Sequence, residues 1–127
     1  MPHVVESMQQ LGPMIAAPRA VVLVSVPWSP WPNKARPSLA TLALTRRRWS
    51  PVWQVEFFDL RPESDEELNR WYESVLREYW PRFELSAGGY GPFWWVTRGR
   101  VIDYLTKPYN LSLEELERRS AAAFQEV

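Results

Sequence analysis

AVVLVSVPWSPWPNKARP (Ala20–Pro37) carries the information that decides the fold. Its first seven residues are a continuous, largely β-branched apolar run. Such a run suits a strand covered on both faces, hence a central strand of a mostly parallel sheet. Pro27 ends it. The following loop holds Pro27, Pro30, Pro32 and Pro37 together with Trp28 and Trp31, and none of these side chains is an evident catalyst.

Beyond this loop, SLATLALTRRRW places Leu39, Leu42 and Ala43 on one face of a helix. Arg46-Arg47-Arg48 closes that helix, where cations complement the macrodipole. VWQVEFF (Val52–Phe58) alternates Trp53, Val55 and Phe57 with Gln54 and Glu56, the pattern of a strand with one wet face or an exposed edge. Ser64 with Glu67 forms a capping box that opens a helix carrying Leu68, Trp71, Tyr72, Val75, Leu76 and Tyr79, ended at Trp80-Pro81. Glu66 and Glu67 are charges favoured at a helix start and do not form an acid/base dyad. The glycine-rich SAGGYGPF then leads into FWWVT, a turn at Arg98-Gly99, and RVIDYL, which together read as an antiparallel hairpin. Gly88-Gly89-Tyr90-Gly91 precedes a strand instead of joining a strand to a helix, so a phosphate-loop reading lacks its physical basis. Ser112 with Glu115 opens a last helix reaching about Phe124. At the N-terminus, residues 1–18 are an extension or extra helix with a weak helical pattern broken at Gly12-Pro13. The expected architecture is α/β, in the order β-α-β-α-β-β-α, within one domain spanning 1–127.

Composition narrows the chemistry. The 127 residues include no cysteine, which excludes thiol catalysis, disulfides and thiolate metal sites. A single histidine, His3, leaves no His-rich metal cluster and no evident histidine base. Fifteen basic and fifteen acidic residues balance, so no global field favours nucleic acid or an acidic membrane. No apolar run approaches the ~20 residues of a membrane span, and no signal peptide is evident. A cytoplasmic protein without metal or cofactor is expected, with most of the eight tryptophans in the core.

The element order and these local sequences resemble the thioredoxin-like fold superfamily, from about Ala20 to Phe124. Trp28 matches the tryptophan before the family's redox motif, Ser29 and Pro32 stand at its two cysteine positions, and Pro37 matches the helix proline. Gly91-Pro92 before FWWVT resembles the cis-proline segment, with Gly99 as the hairpin glycine. The resemblance implies a three-layer sandwich around a mixed sheet of about four strands. It also implies that the redox chemistry is gone. Ser29 replaces the nucleophile, Pro32 the resolving cysteine, and the family's buried acid falls near Leu23. With Ser29 as N-cap, Pro30 and Pro32 also remove two of the first three helix donors.

The resemblance further places a partner groove at Trp28, Ser29, Pro30, Trp31, Gly91, Pro92, Lys107 and Tyr109, the last two in the loop 107–110. Gly91 offers backbone for β-augmentation, and Trp31 on a proline-stiffened loop suits an interface anchor. Trp28 is expected to pack against the fold; for Trp31 packing and exposure are equally open. Ser29 is expected to accept a bond from the Trp31 N–H. The leading expectation is a redox-inactive protein- or peptide-binding module with no catalytic residue. The alternatives are an enzyme in which Ser29 orients a thiol co-substrate, and a homodimer that buries its Trp-rich face.

Overall fold

The apolar run at Ala20 forms the middle strand of a five-stranded sheet among the described residues, with every side chain buried. The computed structural model describes residues 2–81 and 85–125. In chain order the elements are β1 (His3–Val5), α1 (Leu11–Ala16), β2 (Ala20–Val24), α2 (Pro32–Leu44), α3 (Arg46–Trp49), β3 (Glu56–Leu60), α4 (Asp65–Ser74), β4 (Phe93–Thr97), β5 (Arg100–Leu105) and α5 (Leu113–Phe124). The sheet order is β1-β3-β2-β4-β5; β1, β3 and β2 run parallel, while β4 and β5 are antiparallel to their neighbours.

Alternation along the strands sends side chains to two cores. One core joins Val22, Val24, Phe58, Leu60 and Trp94 to α1 and α4 through Leu11, Met14, Leu68 and Trp71. The other joins Val21, Leu23, Phe57, Phe93 and Trp95 to α2 and α5 through Leu39, Leu42, Leu116 and Phe124. The second core contains a buried relay in which the Trp95 indole donates to Ser120 Oγ at 2.9 Å and Ser120 donates to the Leu116 carbonyl at 2.7 Å.

Six local expectations need correction. The sheet has five strands instead of about four, because His3–Val5 pairs with β3 in parallel register. That pairing also makes β3 an interior strand, with four of its five residues buried, where alternation had suggested a wet edge. The strand starts at Glu56, and the preceding Trp53 lies in a loop with the Arg19 guanidinium 4.9 Å above its ring. Gly12-Pro13 lies in the first turn of α1 instead of breaking it; proline is tolerated there because its missing N–H has no helical partner to lose. Helix α4 stops at Ser74, where Val75 leaves helical geometry, and the Leu76–Glu78 turn carries the chain on to Trp80. The Gly91–Pro92 peptide is trans, since the described residues contain no cis bond. Gly91 makes the reversal instead, at φ +73°.

The hairpin forms as expected, with Arg98 and Gly99 both at positive φ, as a two-residue type I′ turn requires. The Ser112–Glu115 capping box is complete, whereas Glu67 reaches back to the Glu63 N–H.

Helix α5 is held to α3 by Arg48, which donates to buried Glu117 at 2.6 and 3.0 Å. Burial alone would raise the Glu117 carboxyl. Hydrogen bonds from Thr45 and Arg48, with the Arg48 charge, outweigh it and hold the group below its ordinary 4.5. A depressed carboxyl contributes stability that is complete above the unfolded value and lost as pH falls through the folded one. Stability is therefore expected to decline as pH drops below about 4.5. Glu117→Gln should flatten that decline in urea titrations at stepped pH, and an unchanged slope would assign the acid sensitivity elsewhere.

Candidate functional site: an aromatic face beside the loop after strand β2

The C-terminal end of β2 delivers the Pro27–Trp31 loop to the surface, and the Ala87–Gly91 segment lies directly beneath it. Ser29 ties the two together. Its buried hydroxyl donates to the Gly89 carbonyl at 2.5 Å and accepts from the Trp31 N–H at 3.3 Å. The expected bond to Trp31 is present, but Ser29 is not the N-cap: helix α2 begins at Pro32, with Trp31 in the capping position. The next amides are used locally, Asn33 N–H by the Pro30 carbonyl and Lys34 N–H by the Trp31 carbonyl. This helix start therefore has few donors to offer an anion.

Trp28 is 58% exposed and does not pack into the fold as expected. Two features hold it out. Its indole N–H donates to both carboxylate oxygens of Asp65, at 3.1 and 3.2 Å. Gly89, at φ +84°, passes under the ring so closely that a Cβ there would come within 2.5 Å of the indole. Trp31, at 38% exposure, combines both expectations. It stacks on Tyr109 (centroids 5.5 Å apart, planes at 13°), lies 6.1 Å from Tyr90, and carries the Lys34 ammonium 4.7 Å from its ring centre. Lys107 sits 4.3 Å from the Tyr90 ring centre. Trp31, Tyr90, Tyr109, Lys34 and Lys107 thus form one cluster, with Trp28 and exposed Pro30 on the same loop.

The Tyr109 hydroxyl is shielded from solvent without a hydrogen-bond partner among the described residues. Burial, then the neighbouring Tyr90 phenol, pushes its ionisation above the ordinary 10.0. Gly91 and Pro92 are buried, not laid open along a groove. Pro92 accepts a bond from the Val24 N–H at 3.2 Å, and Gly91 packs against the Pro32 backbone. The aromatic side chains, more than the Gly91 backbone, are therefore what this face presents. Among the described residues no three His, Asp or Glu side chains gather as a metal site, and no helix is long and apolar enough to cross a membrane.

Three residues here escaped the sequence reading. Tyr90 stands in a glycine-rich segment that reads as a plain connector, although a lone aromatic amid glycines is itself a signal. Lys34 carried none beyond its rarity, as one of only two lysines in the chain. Asp59 was the most legible of the three, a charge set among the apolar residues Phe57, Phe58 and Leu60. It lies on β3 directly beside Leu23, the position to which the resemblance carried the family's buried acid. Its buried carboxylate accepts from Ser25 Oγ at 2.9 Å and from Arg36 and Arg61 Nε at 2.8 Å each.

No protein-family model and no curated protein matches the sequence. Solved structures match over nearly the whole chain. The oxidised thioredoxin of Plasmodium falciparum superposes with a TM-score of 0.64 at 14% identity, covering 95% of this chain and 99% of its own. The thioredoxin of Malassezia sympodialis gives 0.59 at 14% identity, over 95% and 91%. A chain from the structural study of thiol resolution in yeast mitochondrial 1-Cys peroxiredoxin gives 0.57 at 10% identity, over 95% and 94%. Identities this low establish the architecture alone. The chain has a thioredoxin-like fold, built without a cysteine.

Proposed function

We propose that the protein is a redox-inactive binding module that engages a partner protein or peptide through the Trp28–Trp31 loop and the rings of Tyr90 and Tyr109. The observation that carries this reading is Trp28, a large ring held on the surface by Asp65 and Gly89. A preformed aromatic loses little conformational freedom on binding, which is why tryptophan recurs as an interface anchor. Ser29 braces the loop from below. Its proton already goes to Gly89, which favours a structural role over orienting a thiol co-substrate.

Affinity capture from a lysate of the source organism tests the reading, with the wild type compared to Trp28→Ala and Trp31→Asp after far-UV circular dichroism shows all three folded. A protein retained by the wild type is expected to bind Trp28→Ala about 30-fold more weakly, the loss typical of an aromatic hot spot. Identical capture by all three proteins would sink the proposal.

A further inference from the structure

We infer that the partner segment is acidic, with carboxylates seated between Lys34 and Lys107; this rests on the aromatic face being the binding surface. Both lysines of the chain converge on this one cluster, Lys34 over Trp31 and Lys107 over Tyr90. Among the described residues neither has a carboxylate partner. The neighbouring arginines are otherwise engaged, since Arg36 and Arg61 both close on Asp59. Two free ammonium groups beside a phenol and an indole complement a segment that alternates carboxylate and apolar side chains.

The same geometry disfavours a nucleic-acid strand. Tyr109 and Lys34 already engage the π surface of Trp31, which leaves little for a base to stack on. The start of α2 has its early amides bonded within the loop and a proline at its first position, so it forms no phosphate cradle. Acidic Asp65 beside Trp28 marks the opposite end of the loop and gives the face a direction, with the acidic part of the partner at the lysine end.

The test is selection of a displayed random dodecapeptide library on the intact chain, followed by affinities of the selected peptides at low and high salt. Wild type is expected to enrich Asp and Glu. Lys34→Glu combined with Lys107→Glu should weaken those peptides about tenfold, the scale of two partly exposed charge pairs, and should select basic sequences instead. Raising the salt should weaken wild-type binding as the charges are screened. Lys34 is exposed and Lys107 half-buried, and an unchanged thermal midpoint of the double variant will separate lost binding from lost folding. Enriched peptides without acidic bias, still lost on Trp28→Ala, would overturn the acidic assignment and leave the binding face standing. Failure to select any peptide would remove both. Displacement of the acidic peptides by single-stranded oligothymidine at equal affinity would overturn the assignment in favour of a nucleic-acid ligand.

Discussion

Gly91→Ala is expected to destabilise the fold by about 3 kcal/mol, combining a left-handed backbone cost of ~1–2 kcal/mol with overpacking of similar size. At φ +73° an alanine is strained whatever space surrounds it. There is also no space. The added Cβ would meet the Pro32 Cα at 2.9 Å and the Pro32 nitrogen at 3.2 Å, both backbone atoms that cannot rotate away. Either the start of α2 or the entry to β4 must move, and β4 is fixed through Pro92 to the central strand. Urea unfolding followed by tryptophan emission measures the loss. Gly12→Ala is the control, because a Cβ there meets nothing within 4 Å and the site is helical. It should be neutral or stabilising by up to about 1 kcal/mol. A Gly91→Ala loss below about 1 kcal/mol would mean that the loop and helix yield together, contrary to the overpacking term.

Asp59→Ala is the second large effect, expected to cost about 2–3 kcal/mol. Removing one member of a buried ionic group typically costs ~3–5 kcal/mol, because the partners left behind stay desolvated. The lower figure applies because the Arg36 and Arg61 side chains retain 29% and 42% exposure and can rehydrate, whereas the Asp59 side chain is only 3% exposed. Ser25 would lose its acceptor as well. Asp59→Asn should cost less, since the amide keeps its shape and one acceptor oxygen. A double-mutant cycle of Asp59→Ala with Arg36→Ala should show positive coupling, as both remove the same tie between β3 and α2. Strict additivity would mean that Arg61 alone satisfies the carboxylate.

The central strand was legible because a long β-branched run has few other places to go in a folded chain. The hairpin and the last helix were legible because turn and cap residues act locally. β1 was not, since three residues at a sheet margin are strand only by virtue of the partner they meet, and sequence periodicity over three residues carries no information. β3 was shifted for a related reason. Trp53 and Val55 continue the alternation of the strand, but the loop is pinned by bonds to the Trp53 carbonyl from Arg46 and Ser50, local side-chain ties that hydrophobic alternation does not register. At the candidate site the sequence left Trp31 open between packing and exposure and expected Trp28 to pack, whereas Trp28 is exposed. Whether an indole is buried depends on what comes to lie beside it. Asp65 reaches Trp28 from 37 residues away, and the Ser29–Gly89 bond that sets the loop spans 60. Lys34 and Lys107 likewise meet only through the fold.

Of eight indoles, Trp49, Trp71, Trp80, Trp94 and Trp95 are buried and Trp53 is half-covered, while Trp28 and Trp31 are exposed to solvent. The molecule therefore divides its own ultraviolet emission into a sheltered fraction that reports on the core and a solvent-facing fraction that reports on the loop. A dissolved collisional quencher such as iodide addresses mainly the second. Occupation of the loop should thus register as lost quenching while the sheltered emission stays constant, giving the native chain an optical gauge of its own surface with no label attached.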